Sequence, residues 1–190
     1  MLEKLKQSLL NAPVIQKGDY NYFVHPITDG IPALAPELVY EVADYIIDTC
    51  NLNVDRLVTI EAMGIPIAMA VSLVIGIPLT IIRKRKYNLP GEIEINQSTG
   101  YSKGQLYING LSARNCVTII DDVISTGGTL KAVLQGLKTG GIEVRDIVCI
   151  IEKGKGAEML RAQGIPIKTL AKMKLNKTKV TEVLTPPYSI

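Results

Sequence analysis

The stretch that most limits what this chain can fold into runs from Val117 to Thr129, reading V-T-I-I-D-D-V-I-S-T-G-G-T. Val117 to Ile120 has the apolar, β-branched character of a buried strand, and Thr129-Leu130-Lys131-Ala132-Val133-Leu134 reads as the start of a helix. Between them stand two adjacent carboxylates and a loop of small residues. The main-chain N–H groups of Thr126, Gly127, Gly128 and Thr129 can converge on a phosphate there, with the helix dipole favouring the negative charge. Asp121 and Asp122 then sit where they can accept hydrogen bonds from neighbouring hydroxyls, as a phosphorylated sugar would offer.

The same strand-then-helix grammar recurs on both sides. Arg56–Ile60 is a predicted strand, followed by the turn Glu61-Ala62-Met63-Gly64, an apolar helix from about Ile65 to Val74, and a strand from Pro78 to Ile82. It resumes with Cys116–Ile120, a helix from Thr129 to about Thr139 and a strand at Ile147–Ile151. A helix over Ala157–Gln163 and a strand over Ile167–Leu170 complete it. Alternation with short connections predicts a parallel sheet with crossover helices. At 190 residues the chain supports one such domain with a small appendage.

Upstream, Leu2, Leu5, Leu9 and Leu10 have helical spacing that stops before Pro13. Gly18 to Pro36 is expected to be irregular and holds the only Phe and His, Phe23 and His25. Pro36 opens a helix that runs to about Asn51. Arg83 to Arg114 is different text: a basic cluster, a turn at Leu89-Pro90-Gly91, and two alternating runs around Ile93-Glu94-Ile95 and Leu106-Tyr107-Ile108. It predicts a two-stranded excursion with Gly100 to Gly104 at its tip, and so long an excursion is more often functional than idle.

The totals exclude several classes. With 21 Lys+Arg against 18 Asp+Glu, the net charge of +3 calls for no nucleic acid as main partner. Cys50, Cys116 and Cys149 lack metal spacing and read as small buried hydrophobes in a reducing, cytoplasmic setting. The apolar window from Ala68 to Ile82 is broken by Gly76 and Pro78, so no membrane span is expected.

Taken together, Val117–Thr129, the Glu61–Gly64 turn and Ile82-Arg83-Lys84 leading to Leu89-Pro90-Gly91 resemble type I phosphoribosyltransferases. The order and spelling fit the purine branch that includes the adenine and xanthine enzymes, and within it most resemble the archaeal type of hypoxanthine/guanine enzyme. The resemblance implies a Rossmann-like α/β fold with about five parallel strands. It further implies a helix and purine-covering hood over 1–35, a core over 36–171 with a flexible two-stranded lid at 83–114, and a C-terminal extension over 172–190.

Residue by residue, the resemblance implies that Asp121 and Asp122 meet the ribose hydroxyls and stabilise positive charge on the sugar. Ser125, Thr126, Gly127, Gly128 and Thr129 hold the ribose 5′-phosphate. Met63 and Gly64 offer main-chain N–H groups to pyrophosphate, with Arg83 and Lys84 as cations. Many relatives carry Arg where this chain has Met63, which leaves only the main-chain contact there. Tyr101 and Lys103 belong to the lid. Lys153 donates to the oxo group of a 6-oxopurine, because an ammonium has donors and no acceptor. Tyr22, Phe23 and Ile31 either stack on the purine or pack the hood on its own domain.

The implied reaction moves a 5-phosphoribosyl group from 5-phosphoribosyl-1-pyrophosphate to hypoxanthine or guanine. Magnesium is carried mainly by substrate oxygens, and no residue is expected to be a dedicated metal ligand. The alternatives are a xanthine or adenine enzyme, or a DNA-binding sensor of phosphoribosyl pyrophosphate, for which the N-terminal residues leave no room beside the hood. The resemblance also suggests a homodimer.

Overall fold

The computed structural model describes residues 1–18, 20–98 and 103–186, with the side chains of Gln97, Ser98 and Lys103 outside that description. In chain order the elements are α1 (Glu3–Leu10), β1 (Val14–Lys17), β2 (Tyr20–Phe23), α2 (Pro26–Asp29), α3 (Pro36–Thr49), β3 (Arg56–Ile60), α4 (Gly64–Ile75) and β4 (Leu79–Ile82). There follow β5 (Ile93–Ser98), β6 (Lys103–Ile108), β7 (Cys116–Ile124), α5 (Gly128–Thr139), β8 (Glu143–Lys153), α6 (Gly156–Ala162), β9 (Lys168–Leu175) and β10 (Val180–Leu184).

The central sheet has six strands in the order β10-β9-β8-β7-β3-β4. Five of them, β9 to β4, are parallel as the alternation predicts, and β10 adds an antiparallel edge. Right-handed crossover helices cover both faces of such a sheet, so its strands are apolar throughout. Ile119, Ile120, Val148 and Ile150 are fully buried. One core layer joins α1, α3 and α4 to the hood, and the other joins α5 and α6 to the two-stranded arm.

Three segments differ from the sequence reading. Tyr20–Phe23, inside the segment from Gly18 to Pro36 expected to be irregular, is a strand paired antiparallel with β1, with Val14 opposite Phe23 and Lys17 opposite Tyr20. β9 runs past position 171, and the expected extension supplies β10, whose Val180 and Val183 are buried. These side chains share a core with Leu5 and Leu9 of α1, and Pro13 bridges Lys179. Amphipathic segments from the two ends of the chain thus close one edge of the sheet together.

The excursion forms as expected, with Ile93 opposite Ile108 and Ile95 opposite Leu106. Its apolar face is buried beneath α5 through Ile95, Leu106 and Ile108. At its root Arg83 and Tyr107 exchange both main-chain hydrogen bonds, at 2.9 and 2.7 Å. The expected lid tip at Tyr101 lies outside the described residues, and Lys103 is described only as main chain. Among the described residues no helix is long and apolar enough to cross a membrane.

Candidate functional site

Because β3, β4, β7 and β8 are parallel, the loops that leave their C-terminal ends gather on one edge of the sheet, where open α/β folds bind ligands. The acidic pair lies on the central member. It sits inside β7, not after it as the sequence suggests, since the strand continues through Val123 and Ile124 opposite Ile151 and Glu152. Asp121 pairs in register with Cys149. The two carboxyls hydrogen-bond each other, and both are held above the usual carboxylate range. Burial is the main cause at each, joined by the charge of Asp122 at Asp121 and of the hood's Asp29 at Asp122. In the free protein the pair therefore resists full ionisation.

Beyond β7 the loop turns through Gly127, whose φ of +77° is the left-handed conformation that favours glycine, and α5 begins at Gly128. Asp121, Ser125, Thr126, Gly127, Thr129 and Cys149 line a hollow of about 140 Å³. The loop is propped from behind by the start of α6. Gly156 N donates to Ser125 O at 2.8 Å, and a Cβ on Gly156 would lie 2.6 Å from Gly127 N. Only a residue without a side chain allows the two segments to lie this close.

On the other flank, Arg83 Nε donates to Glu61 Oε2 at 2.7 Å, and Lys84 N donates to the same oxygen at 3.1 Å. The Lys84 N–H, followed by Arg83, holds the Glu61 carboxyl below the usual range. The Glu61–Ala62 peptide is cis. Met63 stands at the entrance to α4, and its methyl group points towards the hood, 3.7 Å from where a Cβ on Gly30 would be. Gly64 packs so closely on β7 that a Cβ there would come 2.9 Å from Asp121 Oδ1. The Glu61–Gly64 turn, Arg83, Lys84 and the acidic pair therefore form one continuous surface.

The hood closes the third side. Lys153, the last residue of β8, donates from Nζ to Tyr20 Oη at 2.5 Å and to Asn21 O at 2.7 Å, with the ammonium 3.8 Å above the Tyr20 ring centroid. Two of its three donors are thus engaged by the hairpin. Tyr20, Asn21, Lys153, Gly154 and Ser125 line a cavity of about 520 Å³. Phe23 takes the packing alternative: it is 3% exposed and belongs to the core. Tyr22 Oη donates to Asp29 Oδ1 at 2.5 Å, and Ile31 is 56% exposed.

His25 is fully buried, with Nδ1 accepting from Ile27 N and Nε2 2.9 Å from Ser8 Oγ of α1. Burial pushes its pKa down to about 4, so it is neutral and ties the hood to α1. The sequence reading missed Tyr20, Asn21, Asp29, Glu61 and Gly156 as site residues. Glu61 lay within the turn motif that the sequence singles out, and the hairpin had a signal in two short runs separated by Gly18.

Among the described residues no group of three or more His, Cys, Asp or Glu side chains can hold a metal ion.

Comparison with known proteins gives a family model described as the phosphoribosyl transferase domain, matched by residues 34–181. A curated hypoxanthine/guanine phosphoribosyltransferase of Methanothrix soehngenii is 54% identical over 183 residues, covering 96% of this chain and 97% of the relative. That of Methanosalsum zhilinae is 53% identical over 180 residues, covering 95% of each. Among solved structures, an adenine phosphoribosyltransferase from Leishmania tarentolae superposes with a TM-score of 0.71 at 20% identity, covering 90% of this chain and 87% of that one. Another, from Thermoanaerobacter pseudethanolicus, gives 0.73 at 19% identity over 89% and 98%. At such identities the two structures speak to the fold alone.

Proposed function

The chain belongs to the phosphoribosyl transferase family, and from that premise we propose that it transfers a 5-phosphoribosyl group from 5-phosphoribosyl-1-pyrophosphate to hypoxanthine or guanine, in purine salvage. The observation that carries this reading is that Lys153 of β8, Ser125 of the Gly-rich loop and Tyr20 and Asn21 of the hood line one cavity. A base held by Lys153 lies directly against the sugar held by Ser125 to Thr129. The two curated relatives are named for that substrate pair.

In this reading the C1′–oxygen bond to pyrophosphate breaks as a purine ring nitrogen approaches, and positive charge grows on the sugar ring. Asp121 and Asp122 accept from the ribose hydroxyls and, once ionised, stabilise that charge. The departing pyrophosphate is met by the main-chain N–H groups of Met63 and Gly64 and by Lys84. Arg83 takes part from its anchored position on Glu61. Lys153 turns its remaining donor to the exocyclic oxygen of the base, which favours an oxo group over an amino group. Tyr22 and Ile31 cover the base with Phe23 packed behind them, and the segment with Tyr101 and Lys103 excludes water. Magnesium, bound through substrate oxygens and waters, supplies neutralisation of the pyrophosphate charge.

The proposal extends to the assembly and its setting. Tyr40 on α3 and Met69, Leu73 and Val74 on α4 are exposed apolar side chains, and a homodimer that covers them accounts for their exposure. Sedimentation velocity tests this, with Leu73→Glu expected to release monomers. Three free thiols accord with a cytoplasmic location.

The test of activity is pyrophosphate release from phosphoribosyl pyrophosphate and magnesium with hypoxanthine, guanine, xanthine and adenine in turn. Turnover with the 6-oxopurines is expected. No turnover with any purine overturns the reaction, and turnover with adenine alone overturns the role of Lys153.

A further inference from the structure

Thr59 stands next to last in β3, fully buried, and its Oγ1 has no hydrogen-bond partner among the described residues. Buried hydroxyls are nearly always paired, because leaving one idle costs stability. Valine has the same shape and would suit a strand whose neighbours are Val58 and Ile60. The fold by itself therefore has no use for the oxygen. Its surroundings indicate another use. A Cβ built on Gly64 would collide with Thr59 Oγ1 and at the same time come 2.9 Å from Asp121 Oδ1 and 3.3 Å from Asp121 Cα. The hydroxyl and the carboxyl thus face the same bare Cα at the entrance to α4.

We propose that Thr59 is a positioning residue for the transfer, whose Oγ1–H donates to the Asp121 carboxylate when the acidic pair ionises and holds it aimed at the ribose. The proposal rests on the reading of Asp121 and Asp122 given above. While the two carboxyls share a proton, Asp121 is satisfied by Asp122 and the hydroxyl is idle. When the proton leaves, the Asp121 carboxylate keeps the main-chain N–H of Asp122 as a donor, and the idle hydroxyl is at hand to supply a second. The other groups that bear on the pair are the Cys149 thiol on β8, a weak donor, and Asp29 and Tyr22 of the hood, which act on Asp122.

The experiment compares the full-length protein with its Thr59→Val and Thr59→Ser variants. Two readouts apply: the carbon-13 titration of the Asp121 carboxyl in the free protein, and the pH profile of kcat/KM for phosphoribosyl pyrophosphate. Thr59→Val is expected to raise the Asp121 midpoint and the acid limb by about one pH unit, to lower kcat/KM about tenfold at neutral pH, and to leave Tm unchanged or higher. Thr59→Ser should restore both midpoint and rate. A Val variant with unshifted midpoint and rate overturns the proposal, as does one that only loses Tm, since the hydroxyl would then serve the fold. Asp121→Asn separates the two levels. Full activity in that variant removes the reading of the acidic pair and this proposal with it. Loss of activity there, beside an unaltered Thr59→Val, removes only the assignment of Thr59.

Discussion

Lys153 Nζ and Asn21 O lie 2.7 Å apart, so the side chain assigned to the base also fastens the hood hairpin to the end of β8. In the proposed reading, specificity for the base and attachment of the hood both rest on this one ammonium group. Lys153→Met keeps the length of the side chain and removes its donors. A charge-assisted hydrogen bond contributes about 1.5–3 kcal/mol, so kcat/KM for hypoxanthine should fall roughly 10- to 150-fold. Steady-state kinetics with a purine panel checks this. An equal loss for every purine would assign Lys153 to the hood alone.

Asp122→Asn should abolish most transfer and yet stabilise the free protein. Its carboxyl titrates at about 6, against an ordinary 3.8. A raised acid contributes stability that is fully present below its unfolded value and lost as pH rises through its folded value. At pH 8 the half-buried carboxylate thus opposes folding by on the order of 1–3 kcal/mol. Thermal melts should show Asp122→Asn gaining stability at pH 8 and gaining little at pH 4. Transfer should fall at least about 100-fold, as when an electrostatic stabiliser is removed. Undiminished turnover would mean that the pair has been misread.

His25 predicts a slope of the opposite sign. Its value of about 4 lies below the ordinary 6.5, so its contribution is present above 6.5 and lost as pH falls through 4. Charging it breaks the acceptor role of Nδ1 towards Ile27 N. Urea unfolding at pH 7 and pH 4.5 should show a loss on the order of 2–3 kcal/mol from this residue. His25→Gln should flatten that interval. A variant with the parent's slope would assign the acid loss elsewhere.

Gly156→Ala places a methyl group against Gly127 N and the main chain of Ser125 and Thr126. Overpacking of this kind costs about 1–3 kcal/mol. The strain should fall on the loop proposed to hold the phosphate. Calorimetric titration with ribose 5-phosphate should therefore show binding weakened about tenfold or more, with a smaller fall in Tm. Unweakened binding would show that α6 yields instead of the loop.

Much of this was readable from the chain alone, for reasons that can be stated. β3 lies at Arg56–Ile60 as expected, and α3, α4 and α5 begin within a residue of their expected positions. Pro36, the turn before Gly64 and the pair Gly127-Gly128 punctuate strong apolar periodicity there. β10 was not legible because Val180–Leu184 follows the polar run Asn176-Lys177-Thr178-Lys179, and its burial is set by α1, nearly the whole chain away. The length of β7 was misjudged at Asp121, where local polarity suggests a strand end. The pairing partner β8 runs on to Lys153, and that long-range pairing sets the end of β7. Nothing in the sequence marks Thr59 as idle or Gly156 as a prop, since both facts arise from contacts between distant segments.

The shared core of α1 and β10 also orders events in time. α1 precedes every other described helix in the sequence, yet its buried face, Leu5 and Leu9, shares a core with Val180 and Val183 of β10. His25 and Pro13 tie the hood to that same seam. Contacts of such sequence separation form late. During folding, then, the Ser125–Thr129 loop proposed to hold the sugar phosphate can form before the hood gains its footing on α1 and β10. In the proposed reading, the hood over the base then rests on a footing that only the last strand of the sheet completes.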